Sequence, residues 1–363
     1  MENLIENITK RKDGRFMGRF FIGYDINEKP MFQYVYGKTY DEAQEKVIIG
    51  KTIETRFFSK RNISVKKAYD EWLNYVVNRV KESSYANYKF KFENHILPEF
   101  GDMLCTDLSA LAINAFIAKK LASGLSASYV RDIMVVFKTM LKYAQEEYDF
   151  KLSLKNITLP KCEKKEPQKI NDAEQDLLIK YLKKNMNLTS FGVLISLLMG
   201  LRIGELCGLK WCDVDFQNRI IHINRTVQRI SVPEGNRKTK VIISSPKSQT
   251  SRRSISIPDH LMEYFKKFKS NNNFYILSGC EDVIEPRTMQ YRYKKILTAA
   301  QISSHNYHQL RHTFATNCMQ NGFDIKTLSN ILGHSNVSMT LNRYIHPDIF
   351  HERSLMNKMC MLL

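Results

Sequence analysis

HQLRHTFATN, residues 308–317, sets His308, Arg311 and His312 at helical spacing. On a helix these side chains fall on nearly one face. Positive charge crowded onto one stripe is unfavourable unless something anionic lies opposite, or part of the group is buried and neutral. The stretch therefore reads either as a polar helix face with a core histidine or as a phosphate site. The rest of the chain decides between them.

At 363 residues the chain is long for one core, so two or three domains are expected. A hydrophobic content of 43% suffices for packed domains. The formal net charge of +18 is a statement about partners rather than fold. Polyanions fit it, nucleic acid before an anionic membrane surface. The longest largely apolar run, FGVLISLLMGL at 191–201, is too short to span a bilayer and reads as a buried helix. MENLIENITKRKDG shows no signal-peptide core, so a cytoplasmic protein with no membrane partner is expected. Seven scattered cysteines without a CxxC pair agree, and argue against structural zinc.

Composition divides the chain. The whole reads as a multidomain α/β protein. Residues 1–61 alternate aromatic and basic residues. Phe16, Phe20 and Ile22, then Phe32, Tyr34 and Tyr36, recur at period 2, with DINEKP as a turn and TYDEAQEKV as a short helix. This predicts a small three-stranded sheet plus a helix. Its aromatics read either as a sheet core beside a solvated face of Arg15, Arg19 and Lys29, or as part of a DNA-reading sheet. Residues 62–150 predict an all-α, four-helix domain, with Ser64, Ser83, Thr106 and Ser126 as N-caps and stops near Gly101 and Gly124. Residues 151–168 carry two prolines and a charge cluster and read as a linker. Residues 169–363 predict a mixed, mainly α domain with a small antiparallel sheet. Asn171 opens its first helix, and RIIHINRTVQRISV, TKVIISSPK and RRSISIP are its strands. This region holds 27 Lys and Arg against 15 Asp and Glu, so most of the net charge lies here.

Four stretches of this last region hold the chemistry. MGLRIGELCGLKW places Arg202 at the mouth of an apolar core, with Glu205 as its candidate partner. PKSQTSRRSISIP sets Lys247 at a hairpin turn, and HQLRHT supplies His308 and Arg311. LGHSNVSMTLNRY supplies His334 and, ten residues on, Tyr344. Taken as one site, two arginines fork onto phosphate oxygens, histidines donate to the same oxygens, a lysine protonates a leaving oxygen, and a tyrosine is the nucleophile. No acidic cluster offers two divalent ions, so arginine charge has to stabilise the phosphorane. A tyrosine, with a free pKa of roughly 10, needs a cationic pocket to attack at neutral pH.

In order and spacing these motifs resemble the tyrosine recombinases, the integrase family of phages and conjugative elements. The resemblance implies that Tyr344 attacks the scissile phosphate and forms a 3′-phosphotyrosyl link. Arg202 and Arg311 would clamp the phosphate, Lys247 would be the general acid, His308 a general base or acid, and His334 a holder of a phosphate oxygen. Glu205 matches the family's acidic partner of the first arginine. Residues 62–150 are similar to the core-site-binding domain and residues 1–61 to the arm-binding domain, with 169–363 catalytic. The family implies a homotetramer on double-stranded DNA with core and arm-type attachment sites. A directionality factor is a possible further partner, and neither ATP nor any other cofactor is implied.

Blander readings stand beside these. Lys240, on a neighbouring strand, competes with Lys247 as the acid. His305, His308 and His312 suggest metal, but Gln309 stands where a zinc protease needs glutamate. Phe314, Cys318 and Met319 read as core. The tail after Tyr344 either packs at home or docks on a neighbour and closes a ring. A chromosome-dimer resolvase, an inversion switch or a type IB topoisomerase shares the chemistry, and a non-catalytic DNA-binding regulator shares the charge.

Overall fold

The computed structural model describes residues 8–24, 30–61, 63–162, 169–232, 239–245, 252–334, 336–344 and 353. Most of the DINEKP turn, Lys247 and nearly all of the tail lie outside them. The chain forms two compact units, Met1–Cys162 and Glu163–Leu363.

The first unit opens with an antiparallel sheet in the order β1 (Ile8–Lys10), β2 (Phe16–Tyr24), β3 (Pro30–Gly37). Helix α1 (Tyr40–Arg61) packs on β2 and β3. It is far longer than the short helix expected. It runs through Gly50, where the Phe20 ring leaves no room for a side chain: a Cβ there would lie 2.3 Å from that ring. The aromatics divide between the two faces. Phe20 is buried beneath α1, whereas Phe21, Tyr34 and Tyr36 are exposed. The register pairs Arg19 with Tyr34 and Phe21 with Phe32 on the exposed side. The Arg19 guanidinium stands 4.9 Å from the Phe32 ring centre, and Arg11 and Arg15 lie over Tyr36.

Helices follow as α2 (Val65–Val76), α3 (Glu82–Lys91), α4 (Leu97–Phe100), α5 (Ala110–Ala122) and α6 (Ala127–Tyr148). A π turn at Phe92–Ile96 fuses α3 to α4, which leaves the four helical runs expected. Ser64 and Ser126 cap α2 and α6 as expected. The α5 cap is Ser109 rather than Thr106, because Cys105–Asp107 first forms a 3-10 turn. Ser83 lies inside α3, behind Lys81 at the N-cap. Trp72, Phe92, Phe100, Phe116 and Phe137 fill the core. Leu152, Leu154, Ile157 and Leu159 pack against it, and Asn114 bonds both the Asn156 carbonyl and the Thr158 amide at 3.0 Å. The first half of the 151–168 stretch is thus attached to the helices.

The second unit begins with α7 (Asp172–Lys184), capped by Asn171, then α8 (Leu188–Met199) and α9 (Ile203–Cys207). The buried helix expected from FGVLISLLMGL is α8, whose Phe191, Val193 and Ile195 are fully buried. Strands β4 (Val214–Asp215), β5 (Ile220–Ile223) and β8 (Arg253–Ser256) form one sheet, and β6 (Thr226–Ser231) with β7 (Thr239–Ser244) a second. RIIHINRTVQRISV is therefore two strands rather than one. The chain breaks at Asn224 and Arg225, both of which bond the buried Asp213. Helices α10 (Asp259–Phe268), α11 (Pro286–Ala299), α12 (His308–Gln320), α13 (Ile325–Leu332) and α14 (Val337–Tyr344) complete the unit. Among the described residues no helix is long and apolar enough to cross a membrane.

Candidate active site

The stripe that opens α12 divides in the fold. Asn306 Oδ1 accepts from the His308 amide at 2.7 Å, and Gln309 Oε1 accepts from the Asn306 amide at 2.5 Å. Gln309, set where a zinc protease would hold its glutamate, is thus part of the helix cap. His308 is exposed and His312 buried, and their rings meet edge to face at 4.6 Å. Arg311 turns inward and is 2% exposed. Phe314, Cys318 and Met319 join Leu328 and Leu332 in a small core beneath, as expected of them.

What lies opposite Arg311 is the negative end of two helices. Helix α8 stops at Gly200, in the left-handed region at φ 67°, and α13 stops at Gly333, at φ 62°. The last carbonyls of a helix lack partners within it and carry partial negative charge. Arg311 Nη1 donates to the Gly200 carbonyl at 2.9 Å and Nη2 to the Leu332 carbonyl at 2.6 Å. The same Nη2 lies 3.0 Å from His334 Nε2. A guanidinium only donates, so Nε2 accepts there, and Nδ1–H donates to Thr340 Oγ1 at 2.8 Å. Thr340 is buried on α14, and Tyr344, the last residue of that helix, lies one turn beyond it.

Arg202 reaches the same place from the start of α9. Its Nη2 donates to the Gly333 carbonyl at 3.1 Å, and its Nη1 pairs with Glu205 Oε1 at 2.7 Å. Glu205 Oε2 also accepts from the Arg202 amide at 3.0 Å, so one carboxylate caps α9 and anchors the guanidinium. Glu205 is 3% exposed. Burial pushes its carboxyl up, but hydrogen bonds and charge from Arg253, with Arg202 and its amide, prevail and hold it at about 2.

The structure thus gathers Arg202, Arg311 and His334 at the end of α13, with α14 and Tyr344 directly after. His308 stands one turn from Arg311 on α12. Lys240 lies on β7. Among the described residues no cluster of three or more His, Cys, Asp or Glu side chains is placed to hold a metal ion. Sequence reasoning missed Arg253, which forms a two-point pair with Glu205 at 3.0 and 2.9 Å. Its signal was the alternation of RRSISIP: Arg253 falls in phase with buried Ile255 and Ile257, so it faces the core.

Residues 162–350 match the phage integrase family, and residues 64–121 match the N-terminal SAM-like domain of phage integrases. The first match spans more than half of the sequence, and the chain belongs to the phage integrase family, the tyrosine recombinases that exchange DNA strands. A tyrosine recombinase XerC-like protein of Caldanaerobacter subterraneus subsp. tengcongensis is 28% identical over 362 residues, covering 90% of each chain. The integrase of the Tn1549 transposon, solved with transposon right end DNA, shares the fold at a TM-score of 0.67. That likeness has 21% identity over 82% of this chain and 100% of that one. A lambda integrase dimer bound to a core site matches 96% of this chain and 99% of its own at 16% identity and a TM-score of 0.59.

Proposed function

We propose that this chain is the integrase of a mobile genetic element. It cuts one strand at each attachment site, carries the 3′ end on Tyr344, and rejoins it to a new partner. The bond energy stays in the phosphotyrosyl link, so rejoining needs no ATP. The observation that carries this reading is the convergence of Arg202, Arg311 and His334 on the end of α13. Separate stretches of sequence supply these groups, and beyond the helix-end carbonyls and Glu205 that they bind, a shared anionic ligand is what such a gathering of donors suits. Arg202 and Arg311 clamp the scissile phosphate, and His334, whose Nε2 accepts from Arg311 in this structure, gains a proton there to hold one of its oxygens. His308, exposed at the head of α12, moves the nucleophile's proton, and Lys247 protonates the leaving 5′ oxygen. A cationic pocket favours the phenolate of Tyr344, whose free pKa is roughly 10.

The same reading gives three DNA-facing parts: residues 1–61 for arm sites, 62–150 for core sites, and 169–363 for catalysis, acting as a homotetramer in the cytoplasm. A directionality factor would bias excision. The exposed sheet face bearing Arg11, Arg15, Arg19, Phe21, Tyr34 and Tyr36 supports the first assignment, because basic side chains stacked on aromatic rings suit a sheet laid against duplex DNA. It also favours an element integrase over a chromosome-dimer resolvase or inversion switch, which usually lack such a domain.

The test is strand exchange between a duplex carrying the joined ends of the element and a target duplex, with chelator present. Recombinant product is expected, and the chain lacking residues 1–61 is expected to lose arm-site binding while still cutting core sites. DNA relaxed without exchange would mean a topoisomerase, and DNA bound without cleavage a regulator.

A further inference from the structure

The end of α13 is held by more than the two clamp arginines. Its last three carbonyls each accept from a different arginine: Ile331 from Arg253 Nε at 2.5 Å, Leu332 from Arg311 Nη2 at 2.6 Å, Gly333 from Arg202 Nη2 at 3.1 Å. Arg253 alone of the three has no role in the reading above. Its side chain is 6% exposed, against 36% for Arg202. It grips Glu205 at two points, and Glu205 in turn grips Arg202 through both its guanidinium and its amide. The packing is close enough that a Cβ on Gly333 would lie 2.9 Å from Arg253 Nη1.

We propose that Arg253 is a positioning residue for strand cleavage: by binding Glu205 and the Ile331 carbonyl together, it aligns Arg202 and the α13 terminus, and so the phosphate clamp. The proposal rests on reading Arg202 and Arg311 as that clamp. Arg253 touches no reacting atom. Its planar fork ties a strand, a helix start and a helix end into one rigid body, which a lysine's single ammonium does not reproduce. With it gone, Glu205 loses two of its four bonds, and Arg202 is free to turn with it.

The experiment compares Arg253→Lys with Arg202→Lys and wild type. All are given a nicked substrate with either a normal scissile phosphodiester or a methylphosphonate there. The methylphosphonate lacks the charge that the clamp neutralises, so it relieves a clamp defect and nothing else. Arg253→Lys is expected to fold and bind DNA as wild type does, and to cleave the phosphodiester slower by on the order of 100-fold, the scale of a misplaced catalytic group. On the methylphosphonate both lysine variants are expected to cleave within about tenfold of wild type, the clamp no longer being required. A double variant, Arg253→Met with Glu205→Gln, removes the buried charges as a pair and serves if the single variant is unstable. It is expected to show the same preference for the methylphosphonate.

Normal phosphodiester cleavage by the Arg253 variants beside a failing Arg202→Lys overturns the proposal alone. Normal cleavage by Arg202→Lys overturns the clamp reading, and the proposal with it. Equal loss on both substrates, or failure of both Arg253 variants to fold, assigns Arg253 to stability and also overturns it.

Discussion

Arg311→Lys is expected to reduce strand cleavage by on the order of 1,000-fold, the upper range for losing a preorganised donor at a centre of developing charge. The charge survives this substitution, but the geometry does not. Arg311 places two nitrogens on carbonyls from two different helices, Gly200 at the end of α8 and Leu332 at the end of α13, and the second nitrogen also meets His334. A lysine has a single nitrogen on a flexible stem and cannot serve α8 and α13 at once. Arg311 is 2% exposed, so a carbonyl it abandons is left short of a partner. The α13 terminus then loosens, and His334 with it. Binding to duplex DNA is expected to change little, since the charge is kept and many other basic residues contribute. Mobility shift and cleavage on the same labelled duplex check both halves. Cleavage within a few-fold of wild type would refute the role assigned to the fork.

Glu205→Ala is expected to destabilise the second unit by about 3–5 kcal/mol, the scale for stranding a buried charge. Arg253 and Arg202 both pair with this carboxylate, and Arg253 is nearly as buried as it is. The effect carries a pH signature. The folded pKa of about 2 lies below the ordinary 4.5, so ionised Glu205 favours the folded state. That contribution is fully present above about pH 4.5 and is lost as the pH falls towards 2. A gap of roughly 2.5 units corresponds to roughly 3 kcal/mol. Trp211, buried in this unit's core, reports its unfolding once the other tryptophan, Trp72, is replaced by Phe. Urea titrations of the Trp72→Phe protein with and without Glu205→Ala are expected to differ strongly at pH 7 and to converge as the pH drops to 3 and below. Equal stability at pH 7 would mean that the carboxylate does not hold the arginines.

The order of the motifs was legible because each is a short local pattern with its own chemistry, and the chain need only be read in sequence to find Arg202, Arg311, His334 and Tyr344. Helix α8 and the caps at Ser64, Ser126 and Asn171 were legible for the same reason: apolar runs and side-chain caps are local. What local reading could not supply was the acceptor opposite the charged stripe. The carbonyls of residues 331–333 are backbone groups, identical in every sequence, and only the fold brings the end of α13 to Arg202, Arg253 and Arg311. The same limit hid why residue 50 is glycine, since nothing near it in sequence shows that Phe20 fills the space beside it. It also hid the split of the N-terminal aromatics, because a period of 2 on each strand does not say which face α1 covers. The Thr106 cap failed through competition, Ser109 lying three residues past it with an equally good hydroxyl, whereas α3 starts before Ser83, with Lys81 at its N-cap and no side-chain cap at all.

During cleavage Tyr344 is expected to become covalently joined to DNA. Covalent trapping tests it most directly: wild type and Tyr344→Phe are incubated, with chelator, on a nicked duplex from the joined ends of the element, then run on a denaturing gel. A DNA-linked protein band is expected for wild type alone, with both proteins binding the duplex equally before denaturation. The same band from Tyr344→Phe, or no band from a wild-type protein shown to bind that duplex, would rule out Tyr344 as the nucleophile.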